Sequence, residues 1–158
     1  MRKKDREITN RQEIIDVMHR CDVCRIGLND NGYPYILPLN FGLMDDGNTI
    51  ELIFHSALEG KKLDLIQADN RASFEMDCKH QLQYFADKGY CTYSYESVMG
   101  KGHISIVADK DKEAALHLLM EHYHPNQNAY FNPAAIPRTL VYKLTVEEMT
   151  GKRKILKK

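Results

Sequence analysis

The amino-acid sequence predicts an α+β fold, in which a small, mostly antiparallel barrel of about six strands carries three flanking helices. Tight turn signals separate most of the strand-like segments, which favours antiparallel neighbours. Three other segments show the apolar spacing of amphipathic helices. Gly100 and Gly102 interrupt a long strand-like segment, and such a break lets a strand bend around the corner of a small barrel.

Length and composition indicate one soluble domain. The chain has 158 residues and no linker-like stretch, so we expect a single domain over residues 1–158. Lys plus Arg and Asp plus Glu both number 22, so no net charge favours nucleic acid or an acidic membrane. No apolar run approaches the roughly 18 residues of a membrane span, and the N-terminus lacks the apolar core of a signal peptide. We therefore expect a soluble, cytoplasmic protein.

The first elements are a helix and a β-meander. Thr9 or Asn10 caps a first helix, and Glu13 completes a capping box after Asn10. This helix should end near Arg20. Residues 24–28 alternate between apolar and polar side chains, which predicts a half-buried strand. Residues 29–32 are a strong hairpin turn into the next strand.

That next strand, residues 33–44, carries Pro38 in its middle. Proline cannot donate to a strand ladder, so the segment is expected to be an edge or bulged strand with free backbone groups. Free donors and acceptors beside an apolar wall suit a flat heterocycle. A turn at residues 45–48 leads into a strand over residues 50–54.

The remaining chain predicts two more helices and three more strands. A helix follows His55, and residues 79–89 show no clear pattern. The other expected elements are a strand over 72–78, a long bent strand over 90–107, a helix from Asp109 or Asp111 to about Tyr123, a loop over 125–138 and a strand over 140–146.

The helix after His55 begins with the residues of an anion site. Ser56 and Glu59 have capping-box spacing, and Lys61 and Lys62 follow at once. The free N–H groups and the dipole of a helix N-terminus both favour a phosphate. Adjacent lysines point about 100° apart on a helix, so only one should face a ligand. A plain helix cap with two solvated lysines is the alternative interpretation.

The cysteines and their neighbours give a weak metal signal. Cys21 and Cys24 form a CxxC pattern, while Cys78 and His80 supply a second pair of candidate ligands. Cys24 is in register with a core-facing strand and Cys21 ends a helix, whereas redox-active CxxC motifs open one. Structural thiols are therefore favoured, and no metal site is predicted.

Four motifs occur along the chain in a characteristic order, and together they are similar to a known family. The chain resembles the Nim-type nitroimidazole resistance proteins among the pyridoxamine-phosphate-oxidase-like, flavin-binding split barrels, from the first helix to Arg153. The motifs are Gly32-Tyr33-Pro34-Tyr35 with Pro38-Leu39-Asn40-Phe41, His55-Ser56-Ala57-x-x-Gly60-Lys61-Lys62-Leu63, Tyr95-x-Ser97-Val98-x-Gly100-x-Gly102, and Thr150-Gly151-Lys152-Arg153.

The resemblance implies a split β-barrel homodimer that holds FMN at the subunit interface, and it leaves FAD open. By position, the isoalloxazine would be lined by the backbone of Pro38, Leu39, Asn40 and Phe41. The ribityl phosphate end would be held by His55, Ser56, Lys61 and Lys62. The pocket would be closed by Ser97 and Val98 of the partner subunit.

The implied activity is reduction of a 5-nitroimidazole by electron pairs that come from a nicotinamide. His55 is the only side chain of suitable pKa that the motifs place at the site, so it is the candidate to donate a proton or to hydrogen-bond the substrate near the flavin ring. A cofactor contact without catalytic role is the alternative for His55. Two other functions stay open: a flavin- or haem-binding protein without turnover, and a pyridoxamine-phosphate-oxidase-like enzyme. The latter needs clustered arginines, and Arg25, Arg71 and Arg138 are scattered along the chain.

Overall fold

The computed structural model describes residues 3–156, and in this range a single antiparallel sheet of eight strands is flanked by three α-helices. The helices are α1 (Arg11–Arg20), α2 (Lys61–Ala68) and α3 (Lys112–Tyr123). The strands are β1 (Glu7–Ile8), β2 (Cys24–Asp30), β3 (Tyr33–Leu39), β4 (Gly42–Asp45), β5 (Ile50–Ser56), β6 (Arg71–Phe85), β7 (Tyr90–Ile106) and β8 (Leu140–Lys154).

The strand order makes this sheet a split barrel. The strands follow each other as β3-β2-β6-β7-β8-β5-β4, and β1 pairs with β8. The two edge strands, β3 and β4, are therefore consecutive in the chain, with only Asn40 and Phe41 between them. Two linking residues span about 10 Å at most, so the sheet must curl until its edges come close. We call this gap between β3 and β4 the seam. The predicted α+β split barrel with flanking helices is confirmed.

The strand count exceeds the expected six for two reasons. The segment over 33–44 is split at the seam into β3 and β4, and residues 7–8 add a short strand. β6 also continues to Phe85, where the sequence shows no pattern. A register shift between Cys78 and Gln81 breaks the alternation there, because a bulge moves successive side chains to the other face.

Pro38 lies on an edge strand, as its sequence context predicts. β3 pairs only with β2, and Pro38 lies opposite Arg25 in that ladder. The bulge or bend predicted at the two glycines of β7 is a bulge, since the register with β8 shifts between Lys101 and Gly102, and a bulge bends its strand. A Cβ on Gly102 would overlap the carbonyl oxygen of Thr145, so only glycine permits this approach of β7 to β8.

Helix α1 begins as predicted. The side chain of Asn10 accepts a hydrogen bond of 3.1 Å from the backbone N–H of Glu13, and the helix ends at Arg20. Its buried residues, Ile14, Ile15, Val17 and Met18, close one side of the barrel core.

Helix α2 does not begin as predicted. Ser56 is the last residue of β5, where it lies opposite Leu140 of β8. The helix starts four residues later, with Gly60 as its N-cap at a φ of 137° that favours glycine. The capping box at Ser56 and Glu59 is therefore wrong, because the β5–β8 ladder holds Ser56 in the sheet.

The core has two parts on the two faces of β5. Leu52 and Phe54 face the barrel interior, where they join the main cluster. Ile53 faces outward and packs with Leu116 of α3 and with Val141 of β8. Helix α3 thus lies outside the barrel, against β5. None of the described helices is long and apolar enough to cross a membrane.

Candidate functional site

The residues that were expected to line a cofactor ring lie at the seam. Asn40 is exposed and stands outside the strand ladders, whereas Phe41 is completely buried. The backbone N–H of Phe41 donates to the Tyr123 hydroxyl at 3.1 Å, and that hydroxyl donates to the carbonyl oxygen of Asp22 at 2.8 Å. Pro38 has no backbone N–H, and the N–H of Phe41 is already hydrogen-bonded to Tyr123. Asn40 is therefore the member of this segment best placed to offer its backbone to a ligand.

Two neighbouring side chains of α3 hold the seam in place. Besides the Tyr123 hydroxyl, the His122 ring lies with its centroid 4.3 Å from that of Phe41, and its Nε2 is 2.8 Å from the carbonyl oxygen of Cys21. The pKa of His122 is lowered, mainly by burial. The sequence shows Tyr123 only as part of an apolar helix stripe, and its hydroxyl at the helix end is the one signal of a polar role.

The seam lies beside the end of β5. Gly42 pairs with Ile53 in the β4–β5 ladder, so the residues just before Gly42 are close to those just after Ile53. A Cβ on Gly42 would lie 2.6 Å from the backbone nitrogen of Leu119, so α3 packs directly over this corner. The structure thus brings His55 close to the segment over residues 38–41, which the sequence predicts to line a cofactor ring.

His55 and Ser56 point to opposite faces of the sheet, because successive side chains alternate along a strand. His55 lies on the outer face with Ile53, toward α3, while the Ser56 hydroxyl donates to the carbonyl oxygen of Ala57 at 2.8 Å. The side chains of His55 and Ser56, although adjacent in the motif, therefore lie on opposite faces of the sheet.

His55 is exposed, yet partial burial of its ring lowers its pKa below the ordinary 6.5. The positive charge of Lys62 lowers the pKa further, and both effects favour the neutral imidazole. A neutral imidazole offers one N–H donor and one acceptor nitrogen.

The two lysines at the start of α2 have different partners. Lys61 is 2.5 Å from a carboxylate oxygen of Asp30, and its ammonium lies 5.1 Å from the ring centroid of Tyr35. Lys62 is half-buried and forms no ion pair within residues 3–156. Of the two, Lys62 is the free cation beside His55.

Ser97 and Val98 lie elsewhere in the chain. They pair with Lys152 and Gly151 near the C-terminal end of β8, whereas His55 pairs with Val141 near its start. Val98 is fully buried in the barrel core, and Ser97 is half-buried on the outer face of the sheet. Within one chain, the structure does not bring these two residues to the seam.

A cavity of about 250 Å³ opens beside His55. We call it the α3 cavity, since α3 and the loop over residues 130–139 form its walls. Leu116 and Leu119 line it from the helix, and Phe131 and Ile136 line it from the loop. No residue in its lining carries a carboxylate, an ammonium or a guanidinium group. No sequence pattern indicates this cavity, because its walls come from distant segments.

A larger cavity of about 610 Å³ lies on the outer face of β2, β6 and β7, away from the predicted site residues. It contains two cationic side chains and one histidine, and each has an acidic partner. Arg71 is 2.7 Å from Asp69, Lys101 is 3.2 Å from Glu148, and His103 is 2.6 Å from Glu147. These pairs neutralise the cations, so this cavity is a poor site for an anion.

The three arginines that a second phosphate site would need do not converge. Arg71 pairs with Asp69 as described, and Arg25 forms ion pairs with Glu75 at 3.1 Å and with Asp77 at 2.8 Å. The Nε of Arg138 donates to a backbone carbonyl oxygen at 3.1 Å. Each guanidinium is engaged in its own local contact.

The thiols of the CxxC pattern are buried. Cys21 donates to the carbonyl oxygen of Val17 at 3.2 Å, and burial raises its pKa. Burial also raises the pKa of Cys24 to about 12. Such thiols are poor nucleophiles. Within residues 3–156 no group of three or more potential metal-ligating side chains occurs.

Fold and site together define a split-barrel protein with a cationic helix start beside its seam. The family model described as Pyridoxamine 5'-phosphate oxidase matches residues 10–153, and the chain belongs to that family. A solved structure of a proposed 5-nitroimidazole antibiotic resistance protein from Bacteroides thetaiotaomicron is 32% identical to this chain. The similarity covers 93% of this chain and 86% of that one, with a TM-score of 0.79.

Two more distant structures share the fold. A FAD and haem binding protein from Mycobacterium smegmatis has a TM-score of 0.80 at 18% identity, over 94% of this chain and 73% of that one. A FAD-binding protein from Mesorhizobium loti has a TM-score of 0.67 at 19% identity, over 95% and 98% of the two chains. None of the curated proteins matches the sequence.

Proposed function

We propose that this protein is a flavin-dependent oxidoreductase that reduces 5-nitroimidazoles or related nitroaromatics in two-electron steps, with electrons from NADH or NADPH. One observation carries the proposal: the seam, the imidazole of His55 and the free cation Lys62 lie together at one corner of the barrel. The 32% identity to a nitroimidazole resistance protein supports the substrate class. We place the whole chain, residues 1–158, in one cytoplasmic flavin-binding domain.

The residues present fit a flavin mononucleotide, and FAD is the second candidate. Lys62 and the N–H groups at the start of α2 would hold the phosphate, since a helix N-terminus and a free ammonium both attract an anion. Asn40 would offer its backbone to the ring edge at the seam. The bound flavin would supply the hydride chemistry, for which protein side chains have no equivalent.

The proposed assembly is a homodimer. Ser97 lies on β7 and pairs with Lys152 near the C-terminal end of β8, whereas His55 pairs with Val141 near its start, so the pocket would be closed by Ser97 of the partner subunit. Val98 has its side chain in the core, so only its backbone would contribute.

His55 would serve as a hydrogen-bond donor to the substrate. Its ring lies on the face opposite Ser56 and lines the α3 cavity. As a neutral imidazole it would donate a hydrogen bond from its one N–H to a nitro oxygen or a ring nitrogen of the substrate. This hydrogen bond would orient the accepting group.

The visible spectrum of the purified protein tests the cofactor. Bound-flavin absorption supports the proposal, a Soret band favours a haem protein, and a protein that takes up no flavin when it is supplied contradicts it. Anaerobic oxidation of NADH or NADPH, with and without a 5-nitroimidazole, then distinguishes an enzyme from a carrier. Oxidation of pyridoxamine 5'-phosphate would instead identify the alternative enzyme.

Two sets of variants test the residues. His55→Ala should keep the yellow colour and lose turnover, and colourless apoprotein would contradict its catalytic role. Lys62→Gln should weaken FMN affinity roughly tenfold or more, because a charge-assisted hydrogen bond contributes about 1.5–3 kcal/mol. Lys61→Gln is the matched control and should change affinity much less, since Lys61 already pairs with Asp30.

A further inference from the structure

The α3 cavity has an ordered wall. In the loop, the backbone N–H of Ala134 donates to the Asn132 side chain at 3.0 Å, and the Thr139 hydroxyl donates to the carbonyl oxygen of Ala135 at 3.0 Å. The ring of Phe131 packs edge-on against His117 of α3, with centroids 4.8 Å apart. The two hydrogen bonds order the loop itself, and the ring contact joins it to the helix, so the cavity walls are formed without a ligand.

Its size admits only a small molecule. Pockets for drug-sized ligands typically measure about 300–1,000 Å³, and this cavity measures about 250 Å³. A flavin nucleotide does not fit into that volume. An occupant would therefore be a second, smaller compound.

Its lining selects against charge. The walls are mainly aliphatic and aromatic, and none of the lining residues is acidic or basic apart from the imidazole of His55. A charged ligand would lose its hydration without gaining a counter-ion, which is costly. Polar groups occur at the margin, where His55 and the side chain of Asn132 can meet the polar edge of a ring.

We propose that the α3 cavity binds a small, uncharged aromatic heterocycle between α3 and Phe131, with the polar edge of that ring at His55. The binding site itself is independent of any flavin. Its assignment as the compartment for the compound that is reduced rests on the function proposed above.

The test uses the full-length protein with 2-methyl-5-nitroimidazole as an uncharged probe. Binding is followed by calorimetry and by the NMR signal of the Met120 methyl group, which lines the cavity. Ala135→Phe places a ring in the cavity. Ala134→Phe adds the same ring to an exposed neighbour outside the lining, and is the matched control.

We expect Ala135→Phe to weaken probe binding roughly tenfold or more, and Ala134→Phe to leave it within about twofold. A nitroimidazole that carries a carboxylate should bind roughly tenfold more weakly than the neutral probe. If Ala135→Phe does not fold, as judged by circular dichroism, Ile136→Phe narrows the same cavity and carries the same expectation.

Unchanged affinity in a folded cavity variant, or a Met120 signal that does not move at saturation, would overturn the inference. Probe binding that needs no flavin, in a protein that takes up none, would support the cavity and sink the reductase function. Flavin-dependent reduction of the probe at an unchanged rate in Ala135→Phe would support the reductase function and contradict the cavity as its binding site.

Discussion

Replacement of Tyr123 by phenylalanine should loosen the seam of the barrel. The hydroxyl accepts a hydrogen bond from the N–H of Phe41 and donates one to the carbonyl oxygen of Asp22. Tyr123→Phe removes both bonds and keeps the ring, so the loss of packing is small. The substitution therefore isolates the polar link between α3 and the corner where β3 passes into β4.

The magnitude follows from the exposure of the two partners. Phe41 has no exposed surface, so its N–H would stay buried without a partner, at a cost of about 1–3 kcal/mol. Asp22 is exposed, so water can replace the lost hydrogen bond at its carbonyl oxygen. For a chain of this size, 1 kcal/mol shifts the melting temperature by about 2–4 °C. We expect Tm to fall by roughly 2–12 °C.

Thermal and urea unfolding, followed by far-ultraviolet circular dichroism without added flavin, measure this loss. Tyr130→Phe is the control, because Tyr130 is 83% exposed and its change should stay within about 0.5 kcal/mol. Hydrogen exchange at the Phe41 amide should become faster in Tyr123→Phe alone. Equal stability of the two variants, or unchanged exchange at Phe41, would refute the argument.

The remaining predictions concern pH and backbone packing. Folding lowers the pKa values of His55 and His122. Just below pH 6.5 the unfolded chain therefore binds more protons than the folded protein does, and the free energy of unfolding should fall from pH 7 to pH 5. In the double variant His55→Ala with His122→Gln, urea unfolding should show a smaller fall in the free energy of unfolding between pH 7 and pH 5. A fall as large as in the unmodified protein would mean that other groups cause the pH dependence. Gly102→Ala should destabilise the fold by about 1–3 kcal/mol, because its Cβ overlaps the carbonyl oxygen of Thr145. Gly27→Ala, whose Cβ would be 3.9 Å from its nearest neighbour, should cost less than about 1 kcal/mol in the same assay, and similar losses in both variants would contradict the reasoning.

The elements that could be predicted from sequence are those with a local physical cause. Asn10 caps α1 because its side chain reaches an N–H three residues away. Pro38 has to lie at an edge because it lacks a donor, and Gly102 marks a bend because a side chain does not fit there. The capping box at Ser56 failed although its spacing was correct, because pairing with a strand over 80 residues later decided where β5 ends.

The order of four motifs, together with local periodicity, was enough to determine the family and the split barrel from the sequence alone. The tertiary structure decided which groups of the site are free and where they face. Lys61 is bound to Asp30 while Lys62 is not, and the hydroxyl of Tyr123 reaches Phe41 across 82 positions of the chain. The α3 cavity beside His55 likewise exists only because a helix and a distant loop pack on one strand. Ion pairs, burial and cavities depend on distances between segments remote in sequence, and local patterns do not encode those distances.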